Sequence, residues 1–235
     1  AAELIKYASN AFLATKITFI NEIANLCEKI QINVEDISIG MGLDKRIGSR
    51  FLRVGPAYGG SCFPKDTRAL TVTGDLFKTD LSIIKAVIKS NEKRRVLLTQ
   101  RVIQILSNKI KNKKITFLGV TFKPNTDDLR ESPSLVIIPE LNKIGVDIHA
   151  HDPAFNKSFE KVKQFKKVKW KKNIFDAVKG ADMMLIHTEW NEYRGIDLEK
   201  IKKLLRNKVI LDLRNIFNKE ELENMGFLYS SIGKK

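Results

Sequence analysis

Cysteine is scarce: Cys27 and Cys62 are the only two in 235 residues. So small a supply excludes a fold stapled by disulfides. Long apolar runs are missing too. The longest, such as Leu135-Val136-Ile137-Ile138, fall far short of the roughly 18 residues a membrane-spanning helix needs. No charged-then-apolar leader opens the chain, so a cytoplasmic protein with no membrane partner is the expectation. Acid does not balance base: 27 Asp+Glu face 42 Lys+Arg, a net charge of +15. No metal site is expected. What is present is globular. Hydrophobic residues make up 43% and charged residues 29%, which excludes wholesale disorder and suits one large domain or two small ones.

The chain opens on Ala1-Ala2-Glu3-Leu4-Ile5-Lys6 without a methionine. It starts as though already inside a helix and reads as a piece of something longer. Ile5, Phe12, Leu13, Ile17, Ile20, Ile23 and Leu26 recur at three and four, predicting an amphipathic helix over 3–30. Asn33 suits the N-cap of a short helix through residue 39. Residues 40–66 hold six glycines with Pro56 and Pro64 and read as loop. A long helix is predicted over 81–106.

From Lys114 the pattern changes. Strands are predicted over 115–120, 146–150, 183–187 and 209–213, and helices over 133–144, 174–179 and 197–205. Strand–helix alternation with short connections implies a parallel sheet covered on both faces. The expected fold is α/β: an all-helical domain over 1–110, then a doubly wound, Rossmann-like sheet domain over 111–235. The boundary is set in the lysine-rich interruption at 108–114.

A dinucleotide fingerprint needs G-x-G-x-x-G between the first strand and its helix, so that backbone can approach a pyrophosphate. The turn here is Gly119-Val120-Thr121-Phe122-Lys123-Pro124, with one glycine. Gly40-Met41-Gly42 follows no strand. A standard nicotinamide-dinucleotide site is therefore not expected within this chain. Ligands of a doubly wound sheet still gather at the carboxyl ends of its strands, where Lys123 and Arg130 would suit phosphate.

Tyr58-Gly59-Gly60-Ser61-Cys62-Phe63-Pro64-Lys65-Asp66 is the segment richest in chemistry. Two glycines free the backbone ahead of a thiol. A nearby cation favours the nucleophilic thiolate, and a carboxylate can position water or take a proton. The competing reading is a small buried hydrophobe, the usual state of a free cysteine; Cys27, among Ile23, Leu26 and Ile30, fits that reading well. Lys6 and Asn10 lie four apart on one helix face. They could serve as oxyanion donors or form a solvated polar face.

Three stretches together resemble a family: residues 2–17 with Asn21-Glu22; Gly59-Gly60-Ser61-Cys62-Phe63-Pro64-Lys65-Asp66; and Gly119-Val120-Thr121-Phe122-Lys123-Pro124 with Asp127-Asp128-Leu129-Arg130-Glu131-Ser132. They resemble the nucleotide-sugar 6-dehydrogenases, the UDP-glucose/GDP-mannose dehydrogenases. The likeness covers the family's central helical and C-terminal UDP-binding domains; its N-terminal NAD-binding domain has no counterpart here. The resemblance implies oxidation of a sugar 6-alcohol to a carboxylate with two NAD per turnover, in an NAD-dependent enzyme whose isolated piece is inactive. Cys62 would add to the intermediate aldehyde and carry a thiohemiacetal, then a thioester. Lys6 and Asn10 would stabilise the oxyanion, and Asp66 would assist water or proton transfer, with a Lys6–Asp66 ion pair when no substrate is bound.

The resemblance further implies substrate contacts from Phe51, Leu52, Tyr58 and Gly59, and from Lys123 and Arg214. Arg46 would reach the neighbouring subunit's site in a homodimer built through the helical domain. Arg130 and Lys65 would face the NAD. Leu213 stands where the family often has glycine and would narrow the space beside Arg214. The run Asp44-Lys45-Arg46-Ile47-Gly48 with Phe51-Leu52 is more similar to the UDP-glucose branch, giving UDP-glucuronate. UDP-N-acetyl-hexosamine and GDP-mannose are the alternatives. A rival of another class rests on the eight lysines over 157–172, interleaved with Phe159, Phe165 and Trp170. Such a pattern can bind single-stranded nucleic acid, or be a solvated surface whose aromatics turn to the core. The second reading is preferred, and no nucleic-acid partner is expected.

Overall fold

The computed structural model describes residues 1–107 and 109–234; Asn108, in the expected boundary stretch, lies outside them. The chain forms two compact units, Ala1–Arg94 with the C-terminal residues from Ile232, and Arg95–Ser231. The division between these units falls within a helix, whereas the sequence reading sets its domain boundary at 110/111. No glycine or proline interrupts that helix, yet Arg95 and Arg101, in its second half, bond within the later unit, to Glu131 and to Ser230 and Ser231.

In the helical unit, α1 (Ala2–Ile30) buries a face of Ala11, Ala14, Thr18, Asn21 and Ala24. Small side chains allow close approach, and α3 (Cys62–Leu76) packs on this helix. Between them, α2 (Val34–Leu43) starts at Asn33, whose side chain accepts the Glu35 N–H at 3.0 Å, as the N-cap reading predicts. Gly40 and Gly42 lie inside α2 rather than in a loop. A Cβ at Gly42 would stand 3.0 Å from the Ser49 Cα, so this glycine serves close packing. α4 (Ser82–Ile105) matches the predicted long helix. Residues 232–234 return to the first helices. Gly233 N–H donates to Glu28 Oε1 at 2.8 Å, its carbonyl accepts from Val34 N–H at 2.7 Å, and Lys234 pairs with Glu35 at 3.0 Å.

The sheet unit runs β1 (Lys114–Leu118), α5 (Ser134–Lys143), β2 (Asp147–His151), α6 (Lys157–Glu160), a 3-10 turn (Lys163–Phe165), β3 (Lys169–Trp170), α7 (Ile174–Val178), β4 (Met183–Ile186), α8 (Asn191–Arg194), α9 (Leu198–Leu204), β5 (Val209–Asp212), α10 (Lys219–Asn224) and β6 (Leu228–Ser231). The six strands are all parallel, in the order β3-β2-β1-β4-β5-β6. β4 and β5 are buried along their whole length, as central strands covered on both faces must be. The order reverses between β1 and β4, which is the switch point where a doubly wound sheet opens a crevice at its carboxyl edge. This is the doubly wound fold that the strand–helix alternation predicts.

The lysine-rich stretch places its aromatics inward. Phe159 and Phe165 are buried, Trp170 stacks on Phe155 at 4.6 Å, and both buried rings meet the indole edge-on. These ring faces serve one another.

Candidate active site

Cys62 is the first residue of α3 and is exposed, whereas Cys27 is buried and burial pushes its thiol up. The sequence reading of 40–66 as loop fails at this point. Pro64 was taken as punctuation, but in a first helical turn its missing N–H has no intrahelical acceptor to lose. Gly60 adopts φ +78°, the left-handed turn that leads into the helix. Ser61 occupies the N-cap without a side-chain cap bond. The first-turn N–H groups beside Cys62 therefore remain for solvent or an anion.

Asp66 lies one turn beyond Cys62, on the same helix face, and is fully buried. Three side chains converge on it. Asn10 Nδ2 donates to Oδ2 at 2.6 Å, Lys6 Nζ stands 3.6 Å from the same oxygen, and Lys65 Nζ lies 3.3 Å from Oδ1. Burial alone would push this carboxyl up. The Asn10 hydrogen bond and the Lys65 and Lys6 charges outweigh it and hold the carboxyl below its ordinary value. The structure thus brings Lys6, Asn10, Lys65 and Asp66 into one cluster, including the expected Lys6–Asp66 pair. Lys65 belongs to this cluster through its ion pair, a position the resemblance did not suggest.

The segment before the thiol is held firmly, not left free. Asn91 clamps Tyr58 from α4: Tyr58 N–H donates to Asn91 Oδ1 at 2.9 Å, and Asn91 Nδ2 donates to the Tyr58 carbonyl at 3.1 Å. Arg94 Nε donates to the Gly55 carbonyl at 2.8 Å, while Asn21 Oδ1 accepts the Gly55 N–H at 3.0 Å. Tyr58 is buried, Phe51 is half-exposed at φ +66°, and both meet Phe63 edge-on at 6.1 Å. Leu52 is buried and its carbonyl accepts from Ser38 Oγ at 2.7 Å; Gly59 is buried as well.

Asn91 and Arg94 escaped the sequence reading. Their signal was there: Val87, Asn91, Arg94 and Leu98 share one helical stripe, so two polar residues occupy apolar positions and need partners. Asn91→Ala removes both of these buried hydrogen bonds to the Tyr58 main chain. We expect it to lower stability by about 2–3 kcal/mol, read as a shift of the urea midpoint.

Arg46 stands apart from this cluster. It forms a fork on Asp44, at 3.0 and 2.6 Å, with its side chain 90% exposed.

In the sheet unit, Arg214 joins three loops at the carboxyl edge. Its Nε donates to the His187 carbonyl at 2.8 Å and pairs with Glu189 at 2.9 Å; Nη2 donates to the Phe122 carbonyl at 2.9 Å. Lys123, next to Phe122, is exposed. Arg130 forks onto Asp128 at 2.9 and 2.8 Å and stays largely exposed.

Leu213 precedes Arg214 at the end of β5. It is fully buried, and its N–H extends the sheet pairing to the Ile186 carbonyl. Two buried carboxylates set these loops, and neither was singled out from sequence. Asp152 accepts Val120 N–H at 2.7 Å and Thr121 N–H at 3.2 Å; Asp212 accepts from Arg214, Ile216 and Phe217 N–H and from Tyr229 Oη. Burial pushes both carboxyls up.

The turn after β1 does not fit a dinucleotide. Gly119, at φ +80°, has Thr188 so close that a Cβ would lie 2.4 Å from the threonine Cβ. This glycine admits a neighbouring strand end, where a fingerprint glycine would admit a pyrophosphate. Among the described residues no group of three His, Cys, Asp or Glu could hold a metal, and no helix is long and apolar enough to cross a membrane.

A helical unit with an exposed cysteine at a helix start is followed in the chain by a doubly wound parallel sheet. The chain belongs to the UDP-glucose/GDP-mannose dehydrogenase family: the model of its central domain matches residues 1–93 and that of its UDP binding domain residues 116–219. A UDP-glucose 6-dehydrogenase from Rhizobium meliloti is 44% identical over 233 residues, covering 99% of this chain and 53% of that protein. The UDP-glucose 6-dehydrogenase TuaD of Bacillus subtilis is 43% identical over 234 residues, covering 100% of this chain and 50% of that protein. Among solved structures, a UDP-glucose dehydrogenase from Pyrobaculum islandicum superposes with a TM-score of 0.86 at 32% identity, over 99% of this chain and 51% of that one. The chain spans about half the length of the curated relatives it matches.

Proposed function

We propose that this chain supplies the covalent and oxyanion-stabilising half of an NAD-dependent UDP-glucose 6-dehydrogenase, which makes UDP-glucuronate as an activated uronate donor for polysaccharide synthesis. One observation carries the reading: an exposed thiol opens a helix, and one turn along it a buried carboxylate is held by a lysine and an amide from another helix. NAD, where bound, would supply the hydride acceptor for both oxidations, with Arg130 and Lys65 towards it; the chain's own residues act between those events. Cys62 Sγ adds to the C6 aldehyde, and the carbonyl oxygen takes the negative charge. Lys6 Nζ and Asn10 Nδ2 turn from Asp66 to that oxygen, the donors that lower such a barrier. When the carbon is at the thioester level, Asp66, freed of two partners, takes a proton from the attacking water; the carbon–sulfur bond breaks and the thiol is restored.

Phe51, Tyr58 and Gly59, with the Leu52 main chain, are the proposed sugar and nucleotide contacts of the helical unit, and Lys123 and Arg214 those of the sheet unit. Arg130 and Lys65 are assigned towards the cofactor. A homodimer through the helical unit completes the reading, with Arg46 reaching across. Ile5, Phe12, Phe19 and Leu26 support it: they recur every seventh residue along α1 and are all exposed, a seam suited to a second helix. The enzyme is assigned to the cytoplasm.

The test is turnover of the complete protein containing this chain. UDP-glucose with NAD is expected to give two NADH per UDP-glucuronate. Release of aldehyde with one NADH, or turnover confined to a UDP-N-acetyl-hexosamine or GDP-mannose, would overturn the assignment.

A further inference from the structure

The sheet unit contains a cavity of about 440 Å³ that the dehydrogenase reading leaves unused. Asn142 and Lys143 of α5 line one side; Lys163, Lys166 and Lys167, on and just after the 3-10 turn, line the other with Gln164. α5 returns the chain from the carboxyl end of β1 to the start of β2, and residues 163–167 precede β3. The cavity therefore sits at the amino edge of the sheet, while Lys123 and Arg214 follow strands at the carboxyl edge.

Lys143 shares its charge with Glu140 at 2.5 Å. Lys163, Lys166 and Lys167 have no acidic partner among the described residues. Lys163, Lys166 and Lys167 all line one open groove, so three ammonium groups without an acidic partner gather on one patch and repel each other. One anion bearing several charges relieves that repulsion better than separate monovalent ions. The volume suits a ligand of nucleotide size, and the two amides can donate to phosphate oxygens.

We infer that this cavity binds a small polyphosphate anion, a chain of phosphates free or attached to a nucleoside. The inference does not depend on the dehydrogenase reading. Calorimetric titration of the full chain at low salt, with inorganic tripolyphosphate and separately with ATP, is expected to show one saturable site. Equal affinities identify the phosphate chain as the recognised part. ATP binding tighter by about tenfold or more identifies the nucleotide, and either result supports the site.

Lys163→Ala with Lys167→Ala is expected to weaken binding by about tenfold or more. The charge-matched pair Lys157→Ala with Lys161→Ala, outside the lining, should change it by less than about twofold. All four side chains are exposed, so the fold is retained, and far-ultraviolet circular dichroism checks this. Equal losses in the two pairs, no saturable site, or binding of oligonucleotides but not tripolyphosphate would overturn the inference.

Discussion

Cys62→Ser in the complete protein is expected to abolish UDP-glucuronate release, with a rate loss on the order of 10⁴-fold or more, the scale seen when a covalent nucleophile is removed. Serine keeps the shape and the position at the head of α3, so binding of the nucleotide sugar should survive. What changes is the nucleophile. An alcohol has no thiolate-like form near neutral pH, and the carboxylate one turn along α3, Asp66, is occupied by Asn10, Lys6 and Lys65. An oxygen ester, if reached, also hydrolyses more slowly than a thioester, so a covalent adduct at residue 62 should be visible by mass spectrometry. Residue 62 is exposed, so the fold is retained, and an unchanged urea midpoint checks that. Wild-type acid production by this variant would remove Cys62 from the mechanism.

Gly119→Ala is expected to cost about 3 kcal/mol or more, combining a left-handed conformation with overpacking. The new Cβ would meet the Thr188 side chain at 2.4 and 2.7 Å and its backbone nitrogen at 3.0 Å. Thr188 cannot yield easily, because its hydroxyl donates to the Thr121 carbonyl at 2.6 Å. Gly180 is the control: its φ is +70° and nothing lies within 4 Å of a Cβ there, so Gly180→Ala should cost only about 1 kcal/mol. Both tryptophans, Trp170 and Trp190, lie in the sheet unit, and their fluorescence follows its unfolding in urea. Equal losses at the two glycines would refute the packing account of the β1 turn.

Elements with an unbroken pattern could be read from sequence alone. α1 and α4 were readable because their apolar residues recur over many turns. β1, β4 and β5 were readable because central parallel strands are continuous apolar runs. α3 was not, because Gly60 and Pro64 flank its start and local punctuation suggests a loop; only the packing of α1 against it shows that the proline sits where a helix tolerates it. β3 has two residues and β6 is half polar, too short and too mixed for a periodic signal. At the site, spacing could put Cys62 beside Asp66 and Lys6 beside Asn10. It could not bring the two pairs together, since that depends on the alanine face of α1. The clamp of Asn91 and Arg94 on the loop was recoverable in principle, as polar residues in an apolar stripe.

The last residues of the chain have a topological consequence. Arg95–Ser231 leaves the helical unit in α4 and returns to it at Ile232, so the sheet unit is spliced into the helical one as an insert with both ends anchored. The returning anchor is specific: only glycine fits at position 233, where a Cβ would lie 2.5 Å from Val34 and 2.8 Å from Ala24 at φ +63°. A single nick at either splice therefore does not sever the insert, and the helical unit finishes its own packing only after the whole insert has been made.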